Sequence, residues 1–189
     1  MSRNPLFSPE LCSQSPRQLF SPAIDVGTNP PLKHPHLAKL PHWPNETIAV
    51  LCTVDEAPYA IPVTAPLRVS DRTILFSLKD CRGSLARLRK YPQVALLILG
   101  EDDLAFTARG RAFVVQEVMT RAPGFVAVAI EAEEIDDHRL AGRAITSGAG
   151  IDWHSSGTQR LVRDHLDSLR EIAERPGLKE ALSIQDLSP

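Results

Sequence analysis

From residue 47 to 115 the chain is a succession of short apolar segments of strand length. They are broken once, by the basic stretch Lys79-Asp80-Cys81-Arg82-Gly83-Ser84-Leu85-Ala86-Arg87-Leu88-Arg89-Lys90. Strands this short, joined mostly by tight turns, fold as a small β-barrel, and the basic stretch then reads as a turn opening a short helix. Residues 47–54 are β-branched and almost continuously apolar until Asp55-Glu56-Ala57-Pro58 stops them as a hairpin turn. The return through 59–66 carries Pro62 and Pro66, which belong at an edge or a bulge. Ser70-Asp71-Arg72 turns into a third strand, 73–78. Residues 83–90 read as a helix with Ser84 as N-cap, Leu85 and Leu88 on the inner face, and Pro92 as the stop. Residues 94–99 are apolar at every position, which predicts a central strand covered on both faces.

In 104–115 Phe106, Ala108, Gly110, Ala112 and Val114 alternate with Thr107, Arg109, Arg111 and Phe113. Period two means one packed face and one largely polar face, and Gly110 between small neighbours predicts close approach by another element. Residues 125–135 form a further strand. It ends in Glu131, Glu133, Glu134, Asp136 and Asp137, read as a solvated strand end. A Gly- and Ser-rich loop with Trp153 leads to the amphipathic helix 158–174, where Leu161, Val162, His165, Leu166, Leu169, Ile172 and Ala173 recur at helical spacing. The expected fold is mainly β, a barrel with a few helices and not an α/β sheet. Its expected parts are a Pro- and Ser-rich arm (1–45), the barrel (46–138), and a loop with the C-terminal helix packing on the barrel (139–189). Leu-Phe-Ser-Pro occurs twice in the arm, too short a repeat to define a unit; the arm reads as an extended decoration of the body.

The formal net charge is only −2, so five basic residues against one Asp in 79–90 are a local concentration, and a general nucleic-acid binder is disfavoured. No apolar run reaches the roughly 18 residues of a membrane span, and the first residues lack a signal-peptide pattern. Cys12, Cys52 and Cys81 are an odd number at wide spacings, without disulfide or zinc-site character. The expected compartment is the cytoplasm, with no membrane or nucleic-acid partner.

The basic stretch admits two readings. Amides at a helix start, with the Ser84 hydroxyl and Arg82 or Arg87, suit a phosphate dianion. Alternatively the helix is basic and solvated, because Arg87, Arg89 and Lys90 point in successive directions. His34, His36 and His42 lie in a Pro-rich segment without the Cys or carboxylate that would complete a metal motif. His165 falls on the apolar face of the last helix and reads as a packed histidine, while His138 and His154 have no recognisable partner in sequence. No Gly-x-Ser-x-Gly elbow is present, and Cys81 in its basic setting is more simply a small turn residue. Trp43 and Trp153 read as lids on the core.

The order of these pieces resembles the pyridoxamine 5′-phosphate oxidase-like proteins, the flavin mononucleotide (FMN)-binding split-barrel family. The matching residues are Glu56-Ala57-Pro58 leading into Pro62-Val63-Thr64, then Ile74-Leu75-Phe76-Ser77, Leu88-Arg89-Lys90-Tyr91-Pro92-Gln93-Val94-Ala95-Leu96, and Ala108-Arg109-Gly110-Arg111-Ala112. They span about 47–135. The resemblance implies a homodimer with FMN in clefts at the subunit interface, and a flavin-dependent oxidoreductase acting on a small molecule. Backbone groups around Val63 and Thr64 would face the ring or its ribityl chain. Ser77 or Leu78, with Arg82, Gly83, Ser84 and Arg87, would hold the phosphate end; no side chain stands out as a general acid or base. The family's Ser-Arg-Lys segment falls on Arg82-Gly83-Ser84, so Ser84 replaces the lysine, and a polar flavin-contacting position falls near Ala105. A deazaflavin coenzyme is the alternative within the enzyme class. A barrel that binds a ligand without catalysis, having lost flavin, is the alternative outside it.

Overall fold

A computed structural model describes residues 35–176 and residue 178. The arm before residue 35, with its repeated tetrapeptide, Cys12 and His34, lies outside the described residues. The elements are β1 (Ile48–Val54), β2 (Pro58–Thr64), β3 (Leu67–Arg68), β4 (Thr73–Lys79), α1 (Gly83–Lys90), β5 (Gln93–Gly100), β6 (Leu104–Gln116), β7 (Phe125–Asp137) and α2 (Ser156–Ala173). The strands make one antiparallel sheet in the order β2-β1-β5-β6-β7-β4-β3, curled so that β2 returns towards β4. The mainly β barrel expected from the sequence is therefore the architecture found. Among the described residues no helix is long and apolar enough to cross a membrane.

The barrel interior is filled by alternate residues of each strand, including Leu51, Ile74, Phe76, Leu96, Ile98, Phe106, Val128 and Ile130, together with Leu85 and Leu88 from α1. Trp43 closes one end. Its ring lies 5.6 Å from that of Phe106, and its indole N–H donates to the Pro66 carbonyl at 2.8 Å. A second apolar cluster lies on the opposite face of the sheet, where Leu169 and Ile172 of α2 cover Leu75, Ala127 and Ala129. The doubly covered strands are thus β4 and β7. The apolar strand β5 is not among them: Val94, Leu96 and Ile98 are buried, whereas Leu99 on its other face is 42% exposed. An apolar run satisfies double coverage without causing it; among the described residues nothing comparable to α2 lies over the outer face of β5.

Two further expectations need correction. Ser84 does not cap α1. Arg82 is the N-cap residue, no side chain caps the helix, and Ser84 is buried in the first turn. The acidic end of β7 is only partly solvated, because Asp136 and Asp137 are buried and paired. Arg109 donates to both oxygens of Asp136 at 2.7 and 3.0 Å, and Arg139 grips Asp137 in the same two-pronged way.

Gly110 fulfils its expectation. β7 carries a bulge there, with Arg109 opposite Glu134 but Gly110 opposite Ala132, leaving Glu133 as the extra residue. A Cβ on Gly110 would stand 1.9 Å from the Glu131 carbonyl oxygen.

Candidate functional site

The barrel has an open seam. The hydrogen-bonded order ends at β2 on one side, while on the other β3 pairs only with Leu75 and Ile74 of β4. Residues 76–79 of β4 therefore look across a gap towards β2 with no strand between them. In this gap lies a cavity of about 290 Å³. Ile61, Pro62, Val63, Thr64 and Ala65 line it from β2 and its exit, Ser77, Leu78 and Lys79 from β4, Arg82 from the turn, and Phe125 from the start of β7. α2 contributes Leu161, Val162, His165, Leu166 and Leu169.

Five of the residues singled out in the sequence, Val63, Thr64, Ser77, Leu78 and Arg82, thus meet around one cavity. Gly83, Ser84 and Arg87 are not among its lining. Arg87 turns towards β1 and β2: its Nε donates to Thr53 Oγ1 at 3.2 Å, and its guanidinium lies 3.9 Å from the centre of the Tyr59 ring. It also reaches back over the helix start, since a Cβ on Gly83 would stand 3.2 Å from its terminal nitrogen. The Ser84 hydroxyl is buried and has no hydrogen-bond partner among the described residues. The start of α1 therefore has no capping side chain, no acidic residue in its first turn, Arg82 on one flank and Arg87 on the other. Such an end favours an anion, because unclaimed amides and the helix dipole both point a positive potential outwards.

Ala65 closes the exit of β2 with φ 55°, a left-handed conformation that costs an L-residue roughly 1–2 kcal/mol. It is buried, and its N–H donates to the Thr47 carbonyl at 2.9 Å. Backbone strain of this kind persists only where the surroundings over-determine it.

His165 is only 9% exposed and stacks at 4.0 Å, ring centre to ring centre, on Phe125. Its Nε2 is buried with no hydrogen-bond partner among the described residues. Burial pushes its pKa below the ordinary histidine value, Lys79 pushes the same way, and Asp164 opposes them. The imidazole is accordingly neutral at neutral pH. The sequence marked His165 as a packed residue but gave no sign of which cavity it borders, because α2 and β2 are some hundred positions apart in the chain. Lys79 was visible as part of the basic stretch, although its place on the cavity wall depends on the pleat of β4. His138, without a partner in sequence, lies 2.7 Å from the Thr107 hydroxyl through its Nε2.

These shifts predict how stability follows pH. The hydrogen bonds of Arg109 and Arg139 hold the Asp136 and Asp137 carboxyls below the usual carboxylate range, against the opposing effect of burial. A depressed carboxyl stabilises the fold fully above its unfolded value of about 3.9, and that contribution is lost as pH falls through the folded value. A depressed histidine behaves alike: the unfolded chain takes up a proton below about pH 6.5 while the folded one resists. The melting temperature should therefore fall in two stages on acidification, one beginning near pH 6.5 and one below about pH 4. Asp136→Asn should weaken the second stage and His165→Phe the first. Melts that stay level from pH 7 to pH 3 would refute this.

No protein-family model matches the chain, and no curated protein does. Among solved structures, a candidate pyridoxamine 5′-phosphate oxidase from Listeria innocua is similar at 18% identity and a TM-score of 0.43, over 50% of this chain and 90% of that one. General stress protein 26 from Bacillus anthracis is similar at 16% identity and a TM-score of 0.42, over 50% and 90% respectively. An FAD-binding protein from Mesorhizobium loti is similar at 14% identity and a TM-score of 0.40, over 47% and 83%.

Proposed function

We propose that this chain is an FMN-binding split-barrel protein that works as a homodimer and as an oxidoreductase on a small molecule. The observation that supports it best is the seam cavity, which ends at Arg82 beside the uncapped start of α1. The residues present fit a flavin. Most of the lining is apolar, which suits a flat ring, and the cationic groups Arg82 and Lys79 lie on its rim where a phosphate would need them. The orphaned Ser84 hydroxyl lies in the same first turn. Bound flavin would supply hydride transfer at its ring. The chain would supply the rest: Val63 and Thr64 present backbone at the open edge of β2, Ser77 and Arg82 hold the anionic end, and α2 excludes water. Arg87 would act from the other flank of the helix start. The homodimer would pair through the outer faces of β1 and β5, where Val54 and Leu99 are about half exposed.

One observation favours a non-catalytic binding protein instead. Ser84, standing at the position of the family lysine, is buried and brings no charge. Visible absorption of the purified protein in the flavin bands, followed by mass spectrometry of the released cofactor, separates the two readings.

The phosphate assignment has its own test. A charge-assisted hydrogen bond contributes roughly 1.5–3 kcal/mol, so Arg82→Ala should weaken FMN binding by about one to two powers of ten. Riboflavin, lacking the phosphate, should bind nearly as before. FMN affinity unchanged in both Arg82→Ala and Arg87→Ala would leave the basic stretch as a solvated helix only.

A further inference from the structure

One flank of α2 walls the seam cavity. The other faces a separate cavity of about 260 Å³, bounded by the turn before β1 and by the loop that leads into the helix. Gln159, Arg163, Leu166 and Arg170 line it at the three- and four-residue spacing of a single helix face. Thr64, Val162 and Leu166 border both cavities, so a molecule seated in the second lies against the wall of the first. We infer that this second cavity is a binding site for a small zwitterion with a flat ring, a ligand of the aromatic amino-acid class. Arg163 holds its carboxylate, Glu46 its ammonium group and Trp153 its ring. The site is built from its own walls and goes beyond the proposed flavin site.

The charge on the walls is the first observation that carries it. Asp167 and Arg170 neutralise each other at 3.0 Å. Arg163 and Glu46 remain, and among the described residues neither makes an ion pair or hydrogen bond, with each other or with any other group. Opposite charges that share one concavity without meeting suit a ligand that bears both. A simple anion would be repelled by Glu46, and a simple cation by Arg163. Glu46 is also held in place: the Thr47 N–H and hydroxyl both donate to the Pro44 carbonyl, at 3.1 and 2.7 Å, closing the turn that carries it.

The second observation is Trp153. It borders this cavity and belongs to neither apolar cluster, and it is half-buried. Its ring has no aromatic neighbour among the described residues. An indole in that position offers a flat apolar face on which another ring can stack. Two residues later the Ser155 side chain accepts from the Thr158 N–H and caps α2, which ties the end of the loop to the helix.

The test is calorimetric titration of the full chain, without added flavin, in wild type, Arg163→Gln and Glu46→Gln. The ligands are L-phenylalanine, its amide (no carboxylate), 3-phenylpropionate (no ammonium group) and L-alanine (no ring). Wild type should bind L-phenylalanine with a Kd below about 1 mM, and L-alanine at least about tenfold more weakly. Arg163→Gln should weaken L-phenylalanine and 3-phenylpropionate about tenfold while leaving the amide unchanged. Glu46→Gln should weaken L-phenylalanine and the amide and leave 3-phenylpropionate unchanged. Each variant thus carries its own control ligand, so a misfolded variant, which would lose all of them, is recognised at once. A wild-type Kd above about 1 mM for L-phenylalanine would overturn the inference and mark these side chains as solvated surface. Equal effects of either variant on its control ligand, or none on L-phenylalanine, would also overturn it. The proposed function is untouched by either result, because flavin binding is read separately from visible absorption.

Discussion

Gly110→Ala is expected to destabilise the protein by about 3 kcal/mol or more, a large part of the stability of an ordinary domain. The added methyl would meet main chain, with the Glu131 carbonyl oxygen at 1.9 Å and the Glu133 nitrogen at 2.9 Å, so no side chain can rotate away to admit it. The bulge sets which residues face inwards. Val126, Val128, Ile130 and Ala132 point into the core at every second position, and the extra residue Glu133 makes Ile135 the next to do so. Were β7 regular, Glu134 and Asp136 would take the inward places, since a one-residue slip exchanges the two faces. With the bulge they stand together on the outer face, where Arg109 pairs with both. Expelling the bulge would therefore put two carboxylates into an apolar interior, and keeping it means a clash. Urea denaturation of Gly110→Ala should show a much lower midpoint; a change of less than about 0.5 kcal/mol would contradict the bulge geometry.

Phe106→Ala should cost about 3–5 kcal/mol, the usual range for deleting a buried aromatic ring. Phe106 is fully buried in the main core and carries Trp43 on its ring. Its loss therefore leaves a void and frees the segment that leads into β1. Because the Trp43 indole holds the Pro66 carbonyl, the loosening should reach the strained exit of β2 and the cavity beside it. Red-shifted tryptophan emission together with the lost stability would report that route. Unchanged emission in Phe106→Ala, checked in a Trp153→Phe background, would show that Trp43 is held by other contacts.

Local signals in the sequence found the strands and the bounds of α1, because apolar runs, turn residues and Pro92 act over a few positions. The same signals could not identify the Glu133 bulge: nothing distinguishes Glu133 from Glu134 until Gly110 is placed across from them. The exposed face of β5 and the double coverage of β4 and β7 depend on where α2 lands, which is a matter of distant contacts. Arg82 and Arg87 looked like one cluster in the sequence. Five residues on a helix turn the chain through about 500°, leaving the two roughly 140° apart. One borders the seam cavity and the other stacks on Tyr59. Ser84 looked like a cap because serine commonly is one, but Arg82 supplies the extended backbone that starts the helix, and the hydroxyl turns inwards.

The prolines of β2 bear on whether a foreign strand can add to this sheet. β2 ends the hydrogen-bonded order, and edges of this kind invite strands from other molecules to add on, the usual beginning of aggregation. Pro58 and Pro62 occupy same-parity sites opposite Val54 and Val50. They are tolerated there because the row they share with Ala60 and Thr64 points its amides away from β1. Every second donor of that outward row is therefore missing, and a visiting strand would find half a ladder. Edge-to-edge addition of a second copy at β2 is therefore disfavoured by the chain's own prolines.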